Sequence, residues 1–246
     1  MNTELSIAKE AAVEAGNLIL GYYKADYEIK DKGYHNPVTT ADHASDARLK
    51  EILTQANPEY GWLSEETVDS KERLNRERVW VVDPLDGTSN YSRDFPICCI
   101  SIALIYHDEI VLGLINDFNR DDIYESTINS QATLNGYEIQ VSSVRETSKA
   151  TLATGFPAKG NFDQNFIQGF SENLLKWKKV RMIGSAAMSC AYVASGQFDQ
   201  YQESGIFLWD VAAGLSLIRS AGGKFSYKRH KDDIFKLDVI ANNDSL

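Results

Sequence analysis

The spacing of hydrophobic positions changes several times along the chain, and each change marks an element. At the N-terminus Leu5, Ala8, Ala12, Ala15, Ile19 and Tyr22 recur every three or four residues, the repeat of one face of an amphipathic helix. Residues 27–36 are polar and carry Lys30, Lys32 and Gly33, which predicts a mobile loop. A second helix is expected to start at Thr40 or Asp42, with Ala44, Ala47, Ile52 and Ala56 as its apolar positions. A carboxylate at Asp42 is also favoured by the dipole of that helix. Asn57-Pro58 ends it, and residues 60–66 give a short strand closed by Glu65-Glu66. Residues 69–78 are charged and read as an exposed loop or short helix. Val79-Trp80-Val81-Val82 is apolar and β-branched, the mark of a buried strand, and Asp83-Pro84-Leu85-Asp86-Gly87-Thr88 interrupts it. Thr88 or Ser89 is placed to start a helix there.

Beyond this point residues 97–106 and 110–116 read as consecutive strands around His107-Asp108-Glu109, and residues 117–122 as a hairpin tip. Asn135-Gly136 is a two-residue turn that favours antiparallel pairing. The first half therefore reads as helices on a largely antiparallel sheet. From residue 142 strands and helices alternate: strand 151–154, helix 162–176, strand 179–182, a small-residue helix over 184–195, strand 198–203 and helix 209–221. Gly222-Gly223 closes the last helix, and strands 224–227 and 237–241 follow. This half reads as α/β. No repeat, low-complexity tract or long linker separates the halves. The expected organisation is one unit over 1–246, with an α+β subdomain over 1–142 and an α/β subdomain over 143–246.

Composition narrows the partners. With 246 residues, 43% hydrophobic and 24% charged, the chain is long enough for a substantial core and ordinary for a globular protein. Its net charge is −10 and its longest cationic run is Lys176-Trp177-Lys178-Lys179, which argues against a nucleic-acid backbone as partner. An acidic protein that handles an anionic ester needs metal ions to reverse the local sign. Cys98, Cys99 and Cys190 form neither a disulfide framework nor a zinc pattern, and His35, His43, His107 and His230 show no ligand spacing. No leader pattern is legible, and the longest apolar run, 97–106, is too short to cross a bilayer. A cytoplasmic location without membrane partners is expected.

The candidate chemistry is carried by acids at predicted strand ends and helix starts: Asp42, Glu65, Asp83, Asp86, Glu203 and Asp210. Asp83 and Asp86, three apart across Pro84, can hold a hard divalent cation through oxygen, while N–H groups behind Gly87 can receive an anion such as phosphate. Taken alone, D-x-x-D is equally a capped turn with solvated carboxylates, and spacing does not bring the six acids together.

Longer segments go further: Val38-Thr39-Thr40-Ala41-Asp42, Ser64-Glu65-Glu66, Asp83-Pro84-Leu85-Asp86-Gly87-Thr88-Ser89-Asn90-Tyr91, and Trp209-Asp210-Val211-Ala212-Ala213-Gly214 with Ala221-Gly222-Gly223 beyond it. Gly184-Ser185-Ala186-Ala187 and Tyr201-Gln202-Glu203-Ser204-Gly205 agree with them. In this order, over nearly the whole length, the chain resembles the inositol monophosphatase family of metal-dependent, lithium-sensitive phosphatases. The resemblance implies a layered αβαβα sugar-phosphatase fold and a homodimer. It also implies Mg²⁺, two or three ions per site: Glu65, Asp83 and the Leu85 carbonyl on the first, Asp83 bridging to a second held by Asp86 and Asp210, and a third, weaker ion near Glu65. All-oxygen ligands suit Mg²⁺, and a two-ion clamp suits in-line displacement by water.

The same resemblance makes Thr88, Asp42 and Glu65 catalytic, with Thr88 orienting the water and Asp42 paired to it. Asp86, Gly87, Thr88, Gly184, Ser185, Ala186 and Glu203 are implied as substrate-binding. Glu203 suits a monophosphate with free hydroxyls, since a carboxylate accepts hydrogen bonds from a polyol and repels a second phosphate. The implied activity is hydrolysis of a small sugar or polyol phosphate, inositol monophosphate first. NADP, fructose bisphosphate, 3′-phosphonucleotides and histidinol phosphate are the alternatives, and a regulatory partner-binding protein is the non-enzymatic one. A haloacid-dehalogenase-type phosphatase needs its paired Asp residues two apart, whereas Asp83 and Asp86 are three apart. Two departures from the family pattern stand out: Asn36-Pro37, where an acidic-apolar pair is common, and Ser220, where Glu is usual.

Overall fold

The computed structural model describes residues 1–23, 29–31, 37–156 and 163–246. Helix α1 (Asn2–Tyr22) is followed by a two-stranded antiparallel pair, β1 (Ile29–Asp31) with β2 (Pro37–Thr39), and by α2 (Thr40–Ala56). Next come β3 (Gly61–Ser64), β4 (Arg78–Asp86), the single turn α3 (Thr88–Tyr91), β5 (Cys99–Tyr106), β6 (Glu109–Asp117), β7 (Asp122–Thr127), β8 (Thr133–Leu134) and β9 (Tyr137–Glu138). These strands form a seven-stranded sheet in chain order, in which only β3 and β4 run parallel.

The C-terminal half supplies β10 (Thr151–Thr154), α4 (Gln164–Leu174), β11 (Lys179–Arg181), α5 (Ala186–Ala194), β12 (Gln200–Phe207), α6 (Leu208–Ser220), β13 (Lys224–Arg229) and β14 (Lys236–Asn242). Its five-stranded sheet has the order β11-β10-β12-β14-β13; β10 is parallel to both neighbours and the remaining pairs are antiparallel.

Two cores explain the layering. Ala8, Ala12 and Ile19 of α1 and Leu49 and Leu53 of α2 pack on Trp80, Val82, Ile100 and Leu112 of the first sheet. Val81, Cys99 and Ala103 point the other way and join α5 and α6 to Tyr201, Val239 and Ala241 of the second sheet. Both faces of β4 are therefore covered, which is why its sequence reads as an unbroken apolar run instead of alternating. The α5/α6 pair is the filling between two sheets, and α4, which has no buried residue, is the helix left for the outermost layer. Close approach depends on missing side chains: a Cβ on Gly113 of β6 would run into the backbone of Ala213 in α6. Among the described residues no helix is long and apolar enough to cross a membrane.

Several expectations need correction. The cap of α2 is Thr39, not Thr40 or Asp42. Thr39 accepts the N–H groups of Ala41 and Asp42, while the Asp42 carboxylate accepts the Thr39 N–H, a capping box. None of Ala44, Ala47, Ile52 and Ala56 is buried; the buried face is Ala41, Asp42, Ser45, Asp46, Leu49 and Leu53. Within the expected loop 27–36, residues 29–31 form β1, and the rest lies outside the described residues, as does Phe162 at the start of the helix expected over 162–176. The turn after β5 is two residues, with His107 and Asp108 at φ 44° and 65°. Strand β7 was not predicted, because Asp122-Ile123-Tyr124-Glu125-Ser126-Thr127 carries little apolar signal.

Candidate active site

The parallel pairing of β3 and β4 aligns their C-terminal ends, with Ser64 opposite Val82. The next residues on the two strands are Glu65 and Asp83, and the Glu65 N–H donates to the Val82 carbonyl at 3.3 Å. Asp83 is paired in register with Ser101 of β5. The Ser101 hydroxyl donates to the Trp209 carbonyl at 3.2 Å, which pins the first turn of α6 and hence Asp210 over the same strand ends. The result is a three-acid group: carboxylate oxygens of Glu65, Asp83 and Asp210 all lie within 4.8 Å of one another.

Burial first, then the charges of Glu65, Asp86 and Asp210, hold the Asp83 carboxyl well above its ordinary range. Burial and the charges of Glu65 and Asp86 do the same to Asp210, although the Phe207 N–H donates to it at 3.0 Å. Like charges are thus concentrated where desolvation is already costly, a condition relieved by a bound cation. An all-oxygen carboxylate set is what a hard divalent ion such as Mg²⁺ requires.

Asp86 lies outside the three-acid group. One of its oxygens accepts the Ser185 hydroxyl and the Ala187 N–H, the latter at 2.8 Å, so the start of α5 holds it. Burial pushes its pKa up to about 6 against those hydrogen bonds.

Between Asp83 and Asp86 the register of β4 on β5 shifts, and Pro84-Leu85 bulges out while the Leu85 N–H donates back to Asp83 at 3.0 Å. Gly87 reverses the chain at φ 91°, where a Cβ would sit 2.8 Å from the Ile97 carbonyl; only glycine fits. The helix expected from Thr88 is one turn, so N–H groups there, and not a long helix dipole, would meet an anion. The Thr88 hydroxyl is 2.8 Å from Asp42 and 3.0 Å from the Leu85 carbonyl. Its single hydrogen goes to the carboxylate, the stronger acceptor. Asp42 is 2% exposed, and burial raises its pKa while Thr39 and Thr88 oppose the rise.

On the opposite side of the site, Asn90 donates to the carbonyls of Ile97 and Ile183, both at 2.7 Å, and so ties α3 to the segment leading into α5. Ser185 caps α5 by accepting the Met188 N–H at 3.2 Å. Of the residues expected against substrate, Ser185 thus seats Asp86 and α5, Gly184 at φ 73° lies against the Asn90 side chain, and Ala186 is buried at the start of α5. Glu203 on β12 accepts the Tyr201 hydroxyl at 3.0 Å and faces Gly155, where any side chain would collide with its carboxylate. Burial pushes its pKa up to about 7, with the Asp86 charge adding to the rise.

The spacing argument missed Ser45, Asp46, Asn90 and Ser101. For Ser45 and Asp46 a signal exists: polar residues at helical spacing on the face that carries Leu49 and Leu53.

Comparison with known proteins bears on the family and the fold. The model of the inositol monophosphatase family matches residues 1–246. An inositol-1-monophosphatase of Synechocystis is 34% identical over 250 residues, covering 100% of this chain and 86% of its own. Nus factor SuhB of Escherichia coli is 34% identical over 226 residues, covering 91% of this chain and 84% of its own. The solved inositol monophosphatase of Anabaena superposes with a TM-score of 0.83 at 34% identity, covering 99% of this chain and 92% of that one.

Proposed function

The chain belongs to the inositol monophosphatase family, and on that premise we propose that it hydrolyses a small sugar or polyol phosphate, inositol monophosphate foremost. The observation that carries this reading is the convergence of Glu65, Asp83 and Asp210 beside the Thr88–Asp42 pair.

In this reading Glu65, Asp83, Asp86, Asp210 and the Leu85 carbonyl hold two or three Mg²⁺. When bound, the ions neutralise the phosphate and stabilise the attacking and leaving oxygens of an in-line displacement. The residues of the chain do the positioning. Thr88 donates its hydrogen to Asp42 and so presents a lone pair to the incoming water, and Asp42 keeps the hydroxyl in that orientation. Thr88 has no His beside it, so it serves as a relay and not as a nucleophile. The N–H groups of Gly87 and Thr88 face the phosphate oxygens. Ser185 fixes Asp86 by donating to it, Gly184 and Ala186 shape the wall beside it, and Glu203 accepts a hydroxyl of the leaving group.

The test is phosphate release from inositol monophosphate, fructose bisphosphate, NADP, 3′-phosphoadenosine nucleotides and histidinol phosphate, each with Mg²⁺ and with EDTA. Release from inositol monophosphate that requires Mg²⁺, fails with Asp83→Asn and falls as Li⁺ is titrated supports the reading; Mg²⁺-independent release refutes it. Light scattering on the eluted protein tests the expected homodimer.

The relatives named Nus factor SuhB favour a second, regulatory reading, in which the same fold docks a macromolecular partner. That reading would also withdraw the exclusion of nucleic acid drawn from net charge. A chain without turnover on any ester, yet retained by a transcription complex, would favour it.

A further inference from the structure

The buried face of α2 is polar at its leading end: Asp42, Ser45 and Asp46 occupy positions i, i+3 and i+4, ahead of Leu49 and Leu53. Each of the three reaches a different turn of the site. Asp42 takes the Thr88 hydroxyl at 2.8 Å, and the Ser45 hydroxyl donates to the Pro84 carbonyl at 2.8 Å. Asp46 accepts the Ser64 hydroxyl on one carboxylate oxygen and the Thr67 hydroxyl, at 2.7 Å, on the other.

Those two hydroxyls bracket Glu65 and Glu66. The Ser64 oxygen also receives the Glu66 N–H at 3.4 Å, so the hydroxyl that holds Asp46 also orders the backbone just past Glu65. Asp46 is 8% exposed. Both of its oxygens accept, a pattern that an ionised carboxylate can supply and an amide cannot, because Asn offers one acceptor and one donor.

We propose that Asp46 is a positioning residue for metal binding: by holding Ser64 and Thr67 it fixes the turn that aims the Glu65 carboxylate at Asp83 and Asp210. The proposal rests on the metal reading of that acid cluster. Groups hydrogen-bonded directly to a ligand are typically worth about 10–100-fold in metal affinity when lost, and Asp46, acting through the residues on either side of Glu65, belongs at the lower end of that range.

The probe is Mn²⁺, followed by the electron paramagnetic resonance signal of the free ion as it is titrated into the full chain. Asp46→Asn and Thr67→Val, each of which removes one arm of the bracket, should weaken Mn²⁺ binding about tenfold. Thr67→Val keeps the shape of the side chain and carries the test if Asp46→Asn does not fold. Because Asp46 acts through Glu65, adding Asp46→Asn to Glu65→Gln should cost nothing further, whereas a merely structural role would lower the melting temperature in EDTA and leave the Mn²⁺ titration unmoved. Unchanged affinity in the folded single variants overturns the proposal, as does an equal loss with and without Glu65. An unmutated chain with no saturable Mn²⁺ binding overturns the metal reading itself, and the proposal with it.

Discussion

Replacing Asp83 by Asn should stabilise the cation-free chain while abolishing Mg²⁺-dependent turnover. Asp83 is 1% exposed, and the charges that act most on it are those of Glu65, Asp86 and Asp210, all of its own sign. Burial and repulsion together hold its pKa well above the ordinary 3.8. The native chain therefore holds a proton at Asp83 more tightly than the unfolded chain does. Burying an ionisable group among like charges without a counter-ion costs on the order of 1–3 kcal/mol.

Asparagine is neutral at every pH and keeps an oxygen for the Leu85 N–H, so it removes the cost without orphaning a donor. A gain of about 1–3 kcal/mol is therefore expected, or roughly 2–12 °C in melting temperature for a chain of this size. The sign with pH is fixed. A carboxyl raised in the folded state contributes stability fully below its unfolded value, and that contribution is lost as pH rises towards the folded one. Glu203, raised from 4.5 to about 7, and Asp86, raised from 3.8 to about 6, act in the same direction.

The assay is a thermal melt of both proteins in EDTA from pH 4 to pH 8. The curves should nearly coincide at pH 4 and separate as pH rises, with the variant the more stable. Saturating Mg²⁺ should reverse the order, since the unmutated chain gains about 2.7 kcal/mol at a hundred times its Kd and the variant much less. An Asp83→Asn protein that melts lower than its parent in EDTA at pH 7.5, with a gap independent of pH, refutes the electrostatic account of this site.

Thr88→Ala should lower kcat by about 10²–10⁴ with little change in Mn²⁺ affinity. Asp42→Asn should do the same, and the double variant should be no worse than the poorer single one if the two act as a relay. An NMR titration of the cation-free chain should show a carboxyl ionising at about 7 that Glu203→Gln removes, and the same variant should raise KM for a polyol phosphate more than it lowers kcat. Gly87→Ala meets both the φ of 91° and the Ile97 carbonyl at 2.8 Å, and should cost about 1–3 kcal/mol in denaturant melts.

Where the sequence spoke through a pure period, the fold was legible. α1 follows its three-and-four spacing, and β4 and the turns at His107-Asp108 and Asn135-Gly136 lie where β-branching and turn chemistry put them. α2 was misread because its core-facing positions carry Asp42, Ser45 and Asp46; the side chains that serve the site erase the hydrophobic period that would reveal the face. The acids at the ends of β3 and β4 could be found one by one. Their meeting with Asp210 could not, because it depends on α6 lying across β5 through Ser101 and Trp209, a contact between residues 108 positions apart. The seat of Asp86 on Ser185 was hidden for the same reason. The individual roles came from the resemblance, since no spacing rule distinguishes a bridging carboxylate from a capping one.

The origin of the three-acid group also sets a sequence of events during synthesis. Glu65 and Asp83 come from neighbouring strand ends of the first sheet, but Asp210 arrives with α6, whose packing needs the strands that follow as well as those that precede it. A nascent chain that has completed its first sheet holds only two of the three carboxylates. On the proposed metal reading, full affinity for the cation would be reached only when the last helix docks, so that ion capture would report the end of folding and a chain stalled partway would hold no complete ligand set.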